Sequence, residues 1–293
     1  MKYQGLYAAI VTPFKDGQVD YDAYKALIEA QIAGGVDGIV PMGTTGESPT
    51  VSTEEHLEII RKCVEFVAGR CQVIAGTGAN CTTEAIEMTK AAAAMGVDGT
   101  LQVCPYYNKP NQEGVYQHFK AIAEATDLPI MLYSIPGRSG IEIAVDTVAR
   151  LAADCPTIVA IKEAGGSVER VNQLVQALPA DFAVLSGDDG LTVPFISCGA
   201  VGLVSVTSNI APAEMKALVD AAMSGDGKKA LELQKKYYPL MKGLMSLDVN
   251  PVPAKAALAL RGEISWEIRL PLVPLAEEKH VKLADLLKSF NLL

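Results

Sequence analysis

Along the chain, short runs of β-branched and apolar residues alternate with longer stretches whose apolar positions recur at helical spacing, with polar or glycine-rich turns between them. The strand-like runs are LYAAIVTPF (6–14), GIVPMG (38–43), CQVIAGTG (71–78), GTLQVCPYY (99–107), PIMLYSIP (129–136), TIVAIKEA (157–164), FAVLSGD (182–188) and GLVSVTSN (202–209). Helical patterns such as YDAYKALIEAQIAGG, TEEHLEIIRKCVEFVAG, TEAIEMTKAAAAMG, SVERVNQLVQAL and APAEMKALVDAAMSG fill the intervals. Several open on Ser, Thr or Asp at a plausible N-cap, and several end in Gly, as C-caps do.

A parallel sheet needs a crossover after each strand, and eight regular strand–helix repeats fit a closed α/β barrel better than an open sheet. The expected fold is a (β/α)8 TIM barrel over residues 1–225. After the eighth helix no further strand is predicted. GDGKKALELQKKYYPLMKGLMS, PVPAKAALALRG and PLVPLAEEKHVKLADLLKSFN read as a helical C-terminal extension, residues 226–293, packed on the barrel or on a neighbouring subunit.

Composition narrows the class. A chain of 293 residues, 49% hydrophobic, buries a large core and forms one barrel domain. The net charge of −9 and the absence of a basic run argue against nucleic acid. The N-terminus passes directly into a strand-like segment with no signal-type stretch, and no apolar run approaches the ~20 residues of a membrane span, so a cytoplasmic protein without a membrane partner is expected. The six cysteines are dispersed, with no zinc-type spacing, and read mostly as small core residues.

In such a barrel the chemistry sits at the C-terminal ends of the strands. Strand 6 offers Lys162, strand 5 ends at Tyr133 with Pro-Gly-Arg following, strand 4 carries Tyr106 and Tyr107, and strand 2 leads into Gly43-Thr44-Thr45-Gly46-Glu47. A lysine inside a parallel barrel strand must put its amine in the mouth or break a packed layer. Desolvation disfavours an ammonium, so an amine placed there is suited to imine formation with a small keto acid. The competing reading is a structural pair of Lys162 with Glu163 or Glu47, or a side chain that snorkels outward. Tyr133, on the adjacent strand, is placed to move the protons that imine formation requires, and the Thr44 and Thr45 hydroxyls can hold a carboxylate. GTTGE lacks the lysine of a nucleotide-binding loop, GTGANC does not complete a dinucleotide motif, and His56, His118 and His280 form no ligand cluster; the site is expected to use neither cofactor nor metal.

With GTTGES (43–48), PYYNKP (105–110), YSIPGRSG (133–140), IVAIKEA (158–164) and SGDD (186–189) in this order, the chain closely resembles, over nearly its full length, the 4-hydroxy-tetrahydrodipicolinate synthase family of pyruvate Schiff-base lyases. The resemblance implies condensation of pyruvate with L-aspartate 4-semialdehyde in the diaminopimelate route to lysine. It makes Lys162 the Schiff-base residue, Thr45, Tyr133 and Tyr107 a proton-relay triad with Tyr107 acting across a subunit interface, and Thr44 part of the same hydrogen-bonding site. Arg138 would hold the semialdehyde carboxylate through its planar fork, and Gly187 and Val204 would line the pyruvate pocket. A homotetramer, a dimer of dimers, is expected on the same ground.

Ser134, Ser139 and Val204 stand where Asn, Thr and Ile are common in that family, and none of these changes removes a reacting group. Of a lysine effector site the resemblance supplies Ser48, His56, Asn80, Glu84 and Tyr106, while Pro49 and Thr53 depart from a frequent Ala and His. Two alternatives compete. One is a related pyruvate aldolase such as N-acetylneuraminate lyase, against which Arg138 and GTTGE speak. The other is a non-catalytic ligand-binding barrel, against which the full Lys162, Tyr133, Thr45 and Tyr107 set speaks.

Overall fold

The computed structural model describes residues 3–293. Eight parallel strands close into a barrel: β1 Gly5–Ala9, β2 Gly38–Val40, β3 Gln72–Gly76, β4 Gly99–Val103, β5 Ile130–Ser134, β6 Ile158–Glu163, β7 Ala183–Ser186 and β8 Gly202–Ser205. Each pairs with its sequence neighbours, and β1 joins both β2 and β8. The (β/α)8 expectation therefore holds, and the eight runs map one to one onto the strands.

The strands are shorter than their apolar runs. The first run stops pairing at Ala9, and Phe14–Lys15 instead forms a two-residue antiparallel hairpin with Gln18–Val19. The second, fourth and eighth runs end at Val40, Val103 and Ser205, and the residues beyond them turn away from the sheet. Apolarity persists past the last ladder bond because these loops fold back over the barrel mouth and are themselves buried, as Pro41, Met42, Cys104 and Pro105 are.

The helices follow as α1 Tyr21–Ala33, α2 Thr53–Val67, α3 Thr82–Ala94, α4 Gln112–Ala123, α5 Val145–Asp154, α6 Val168–Ala177, α7 Thr192–Ser197 and α8 Pro212–Met223. Their starts are chemically fixed. Asp20, Asn111 and Ser167 accept backbone N–H bonds in the first turns of α1, α4 and α6, and Ser52 with Glu55 forms a reciprocal capping box at α2. The alternation of side chains along a strand puts Tyr7, Met131, Tyr133, Ala160, Leu185 and Val204 together inside the barrel, while Ile130, Leu132, Ile161 and Val184 pack outward against helices.

The C-terminal extension comprises α9 Gly227–Ser246, α10 Val252–Leu260 and α11 Glu277–Ser289. Its buried Leu240, Leu244, Leu258, Leu283 and Leu287 belong to the same apolar cluster as Leu6, Ile28, Ile60 and Leu218 of the barrel. Its loops then cross the barrel mouth, which brings residues 250–269 beside the ends of β1 and β2. Among the described residues no helix is long and apolar enough to cross a membrane.

Candidate active site

Period-two alternation decides where Lys162 points. Ala160 faces the barrel interior, so Lys162, two residues on, occupies the next inward layer, and Glu163 points outward. Tyr133 is its register partner on β5. The lysine is only 6% exposed, and its Nζ lies 4.2 Å from the centroid of the Tyr133 ring.

Both carboxylates that could have made Lys162 a structural ion pair are engaged elsewhere. Glu163 Oε2 accepts from Arg170 Nε at 2.8 Å, and its Oε1 from the Gly165 N–H at 2.7 Å. Burial raises the Glu163 carboxyl, and Arg170 opposes the shift. Glu47 Oε1 accepts from Lys255 Nζ at 2.5 Å, and its Oε2 from the Arg269 N–H at 3.1 Å. Among the described residues no acid lies within ion-pairing distance of the Lys162 amine. Gly187 gives that side chain its room, since a Cβ built there would meet Lys162 Cε at 3.0 Å and Ala164 Cβ at 2.7 Å. Val204 lies on the same inner surface, fully buried.

Beside this centre opens a cavity of about 460 Å³, lined by Thr44, Tyr133 and Arg138 together with Ser48, His56, Glu84 and Tyr106. The two threonines divide here. Thr44 faces the cavity, whereas Thr45 is buried and its hydroxyl accepts from Asn250 Nδ2 at 3.0 Å. Arg138 sits in the short helical turn Pro136–Ser139 that follows β5, exposed, with Nη2 donating to the Asn250 carbonyl at 3.2 Å. Asn250 thus ties Thr45 to Arg138.

Tyr107 is not gathered into this site. It lies in the loop after β4, is 90% exposed and has φ of +70°, an uncommon conformation for a tyrosine. Its neighbour Tyr106 turns into the cavity, where burial raises its hydroxyl, and its carbonyl accepts from Asn80 Nδ2 at 3.1 Å. His56 Nε2 bonds the Gly76 carbonyl at 2.7 Å, and burial lowers its ring below the ordinary histidine value.

Three contributors escaped the sequence reading. Asn250 lay between two stretches read as helical, where an Asn-Pro pair marks a loop. Lys255 was a visible signal, a single charge inside the apolar stretch PVPAKAALAL. Asp189, within SGDD, is fully buried and accepts from the Ser205 hydroxyl and from the N–H groups of Val206 and Thr207, pinning the end of β8. Only its motif drew notice.

The fold and site define a barrel enzyme, and comparison with known proteins specifies which. The model of the dihydrodipicolinate synthetase family matches residues 2–290. A relative from Endomicrobium trichonymphae named 4-hydroxy-tetrahydrodipicolinate synthase is 48% identical over 99% of both chains. The solved synthase of that name from Methylacidiphilum fumariolicum SolV is 54% identical, with a TM-score of 0.97, covering 99% of this chain and 96% of its own. A Cyanidioschyzon merolae structure of the same family, solved with lysine bound, is 43% identical, with a TM-score of 0.96 and 99% of each chain covered. The chain belongs to the dihydrodipicolinate synthetase family.

Proposed function

We propose that the protein condenses pyruvate with L-aspartate 4-semialdehyde, as a 4-hydroxy-tetrahydrodipicolinate synthase of lysine biosynthesis. The observation that carries this reading is Lys162, buried in the barrel mouth against Tyr133 with no carboxylate partner among the described residues. Its amine adds to the pyruvate ketone carbon, water leaves, and the imine forms. Loss of a proton from the pyruvate methyl group gives an enamine, whose carbon attacks the semialdehyde aldehyde. The semialdehyde amine then displaces Lys162 from the imine carbon, closing the ring and regenerating the enzyme.

Tyr133, whose ring lies against the amine, is the proton carrier of this reading. Both threonines serve the relay: Thr44 lines the cavity beside Tyr133, and the Thr45 hydroxyl accepts from Asn250 Nδ2. Tyr107, projecting from the loop, completes the relay in a neighbouring subunit's site, in keeping with a homotetramer built as a dimer of dimers. Arg138 receives the semialdehyde carboxylate, and Gly187 and Val204 shape the space for pyruvate. Ser48, His56, Glu84 and Tyr106, which line the same cavity, and Asn80, which donates to the Tyr106 carbonyl, form an effector cleft for lysine. The cytoplasm is its proposed location. A coupled assay with both substrates tests the reading: turnover with the semialdehyde is expected, and turnover confined to sugar-acid aldol substrates would favour the N-acetylneuraminate lyase alternative.

A further inference from the structure

We propose that Lys255 of the C-terminal extension is a positioning residue for the reaction, acting through a buried ion pair with Glu47 that sets the Thr44–Glu47 turn against Tyr133. The inference rests on the imine reading above and adds to it a residue that touches no substrate.

Locally the turn rests on short-range bonds, Gly46 N–H to the Gly43 carbonyl at 3.0 Å and Glu47 N–H to the Thr44 carbonyl at 3.1 Å. Thr44–Gly46 is a single 3-10 turn, and Glu47 follows it at φ 58°, ψ 36°, in the left-handed region that a residue with a side chain adopts only when its surroundings impose it. Those surroundings come from far along the chain. The Glu47 carboxylate is fully buried and takes the Lys255 ammonium on one oxygen and the Arg269 N–H on the other. The Lys255 Nζ lies 4.3 Å from the centroid of the Phe14 ring, and the hydroxyl of Thr12, two residues earlier, donates to the Gly46 carbonyl at 2.7 Å. Arg269, 4.2 Å from the same ring, pairs with Glu55 of α2 and donates to the Thr50 carbonyl. Burial lowers the Lys255 amine and Glu47 opposes that shift.

A buried pair of this kind is a poor device for stability alone, because well-packed apolar residues of similar volume serve as well or better. It does fix orientation. Here it fixes the segment that carries the cavity-facing Thr44 and the Asn250-anchored Thr45. Arg138 donates to the backbone carbonyl of Asn250, a contact that involves neither Glu47 nor Lys255. The pair should therefore govern proton transfer at the imine more than binding of the second substrate.

The test uses K255M, the volume-matched apolar pair E47M/K255M, and K255R, each read by thermal unfolding, by the rate and final extent of borohydride trapping with pyruvate, and by steady-state kcat and KM. The apolar pair leaves no orphan charge, so it keeps the question open to experiment even if K255M folds poorly. Expected is an E47M/K255M enzyme that is folded and traps pyruvate on Lys162 to full extent, with kcat and trapping rate both down about a hundredfold, the scale of an ångström-level misplacement. The KM for the semialdehyde stays within a few-fold, and K255R recovers part of kcat. Wild-type kcat in E47M/K255M would overturn the proposal, showing that the pair only fills space. Trapping in the unaltered enzyme reports on the imine reading separately.

Discussion

Lys162 and Tyr133 are register partners on adjacent barrel strands, and the lysine amine lies 4.2 Å from the centroid of the tyrosine ring. A phenol and an amine so placed share one small, desolvated space. Tyr133→Phe keeps the ring and removes the hydroxyl proposed to carry the proton, so imine formation should slow by about 10²–10⁴-fold, the usual contribution of general acid–base catalysis. Stopped-flow or timed trapping with pyruvate measures it; an unchanged rate would take Tyr133 out of the relay.

Arg138 holds to the Asn250 carbonyl through one nitrogen and keeps the rest of its fork free toward the cavity. Arg138→Ala should leave pyruvate trapping near its original rate and lower kcat/KM for the semialdehyde by about 1.5–3 kcal/mol, the range of a charge-assisted contact. Equal losses in both half-reactions would show that the guanidinium has a different task.

Gly187 abuts the Lys162 side chain, and a methyl group there would sit 3.0 Å from Cε. Gly187→Ala should destabilise the fold by about 1–3 kcal/mol through overpacking and displace the amine. A folded variant with undiminished pyruvate trapping would mean that the lysine has more freedom than this packing implies.

The His118 imidazole is held neutral, pushed down to about 4 by burial, with Nδ1 bonded to the Thr82 hydroxyl at 2.9 Å and Nε2 unpartnered. The unfolded ring titrates near ~6.5, so on acidification the unfolded state gains its proton first. Its contribution to stability is therefore complete above about pH 6.5 and falls as pH drops toward about 4, by about 1.4 kcal/mol per unit. Urea unfolding of the unaltered protein and of His118→Gln between about pH 7 and about pH 5 checks this. The variant should lose less stability across that window; parallel curves would assign the loss to other groups.

Lysine should bind the cleft of Ser48, His56, Asn80, Glu84 and Tyr106 yet inhibit weakly. Glu84 offers an anion for its ammonium, and Tyr106 adjoins Tyr107, the tyrosine proposed for the relay. Pro49 and Thr53, both in the cavity wall, contribute a fixed φ and a short side chain where tighter clasping of the ligand would discriminate between active and inhibited states. Calorimetry beside the steady-state assay decides it: either submillimolar inhibition or no detectable heat contradicts this expectation.

How much of this was legible in the sequence depends on the range of the interaction. The eight strands and Lys162 were visible because β-branched runs and a lysine within one of them are local signals, and the barrel rule says where the chemistry must lie. Strand ends were overrun at Ala9 and Val103, because buried mouth loops are as apolar as the sheet. What the pattern could not show were contacts between residues far apart in the chain. Glu47 and Lys255 are separated by 208 positions, and Thr45 and Asn250 by 205. Nothing in either local segment marks its partner, and the sequence reading treated the extension as packing when its loops reach the site. The division between Thr44 and Thr45 was equally hidden, since adjacent hydroxyls in a turn differ only by which way the backbone aims them.

The central claim is that Lys162 forms the imine, and one measurement tests it most directly. The enzyme is reduced with borohydride in the presence of pyruvate, digested, and mapped by mass spectrometry, with Lys162→Ala run alongside. A single reduced pyruvyl adduct on the peptide carrying Lys162 is expected, absent from the folded but inactive alanine variant. Turnover without any adduct, or an adduct that persists in the alanine variant on another lysine such as Lys255, would contradict the account.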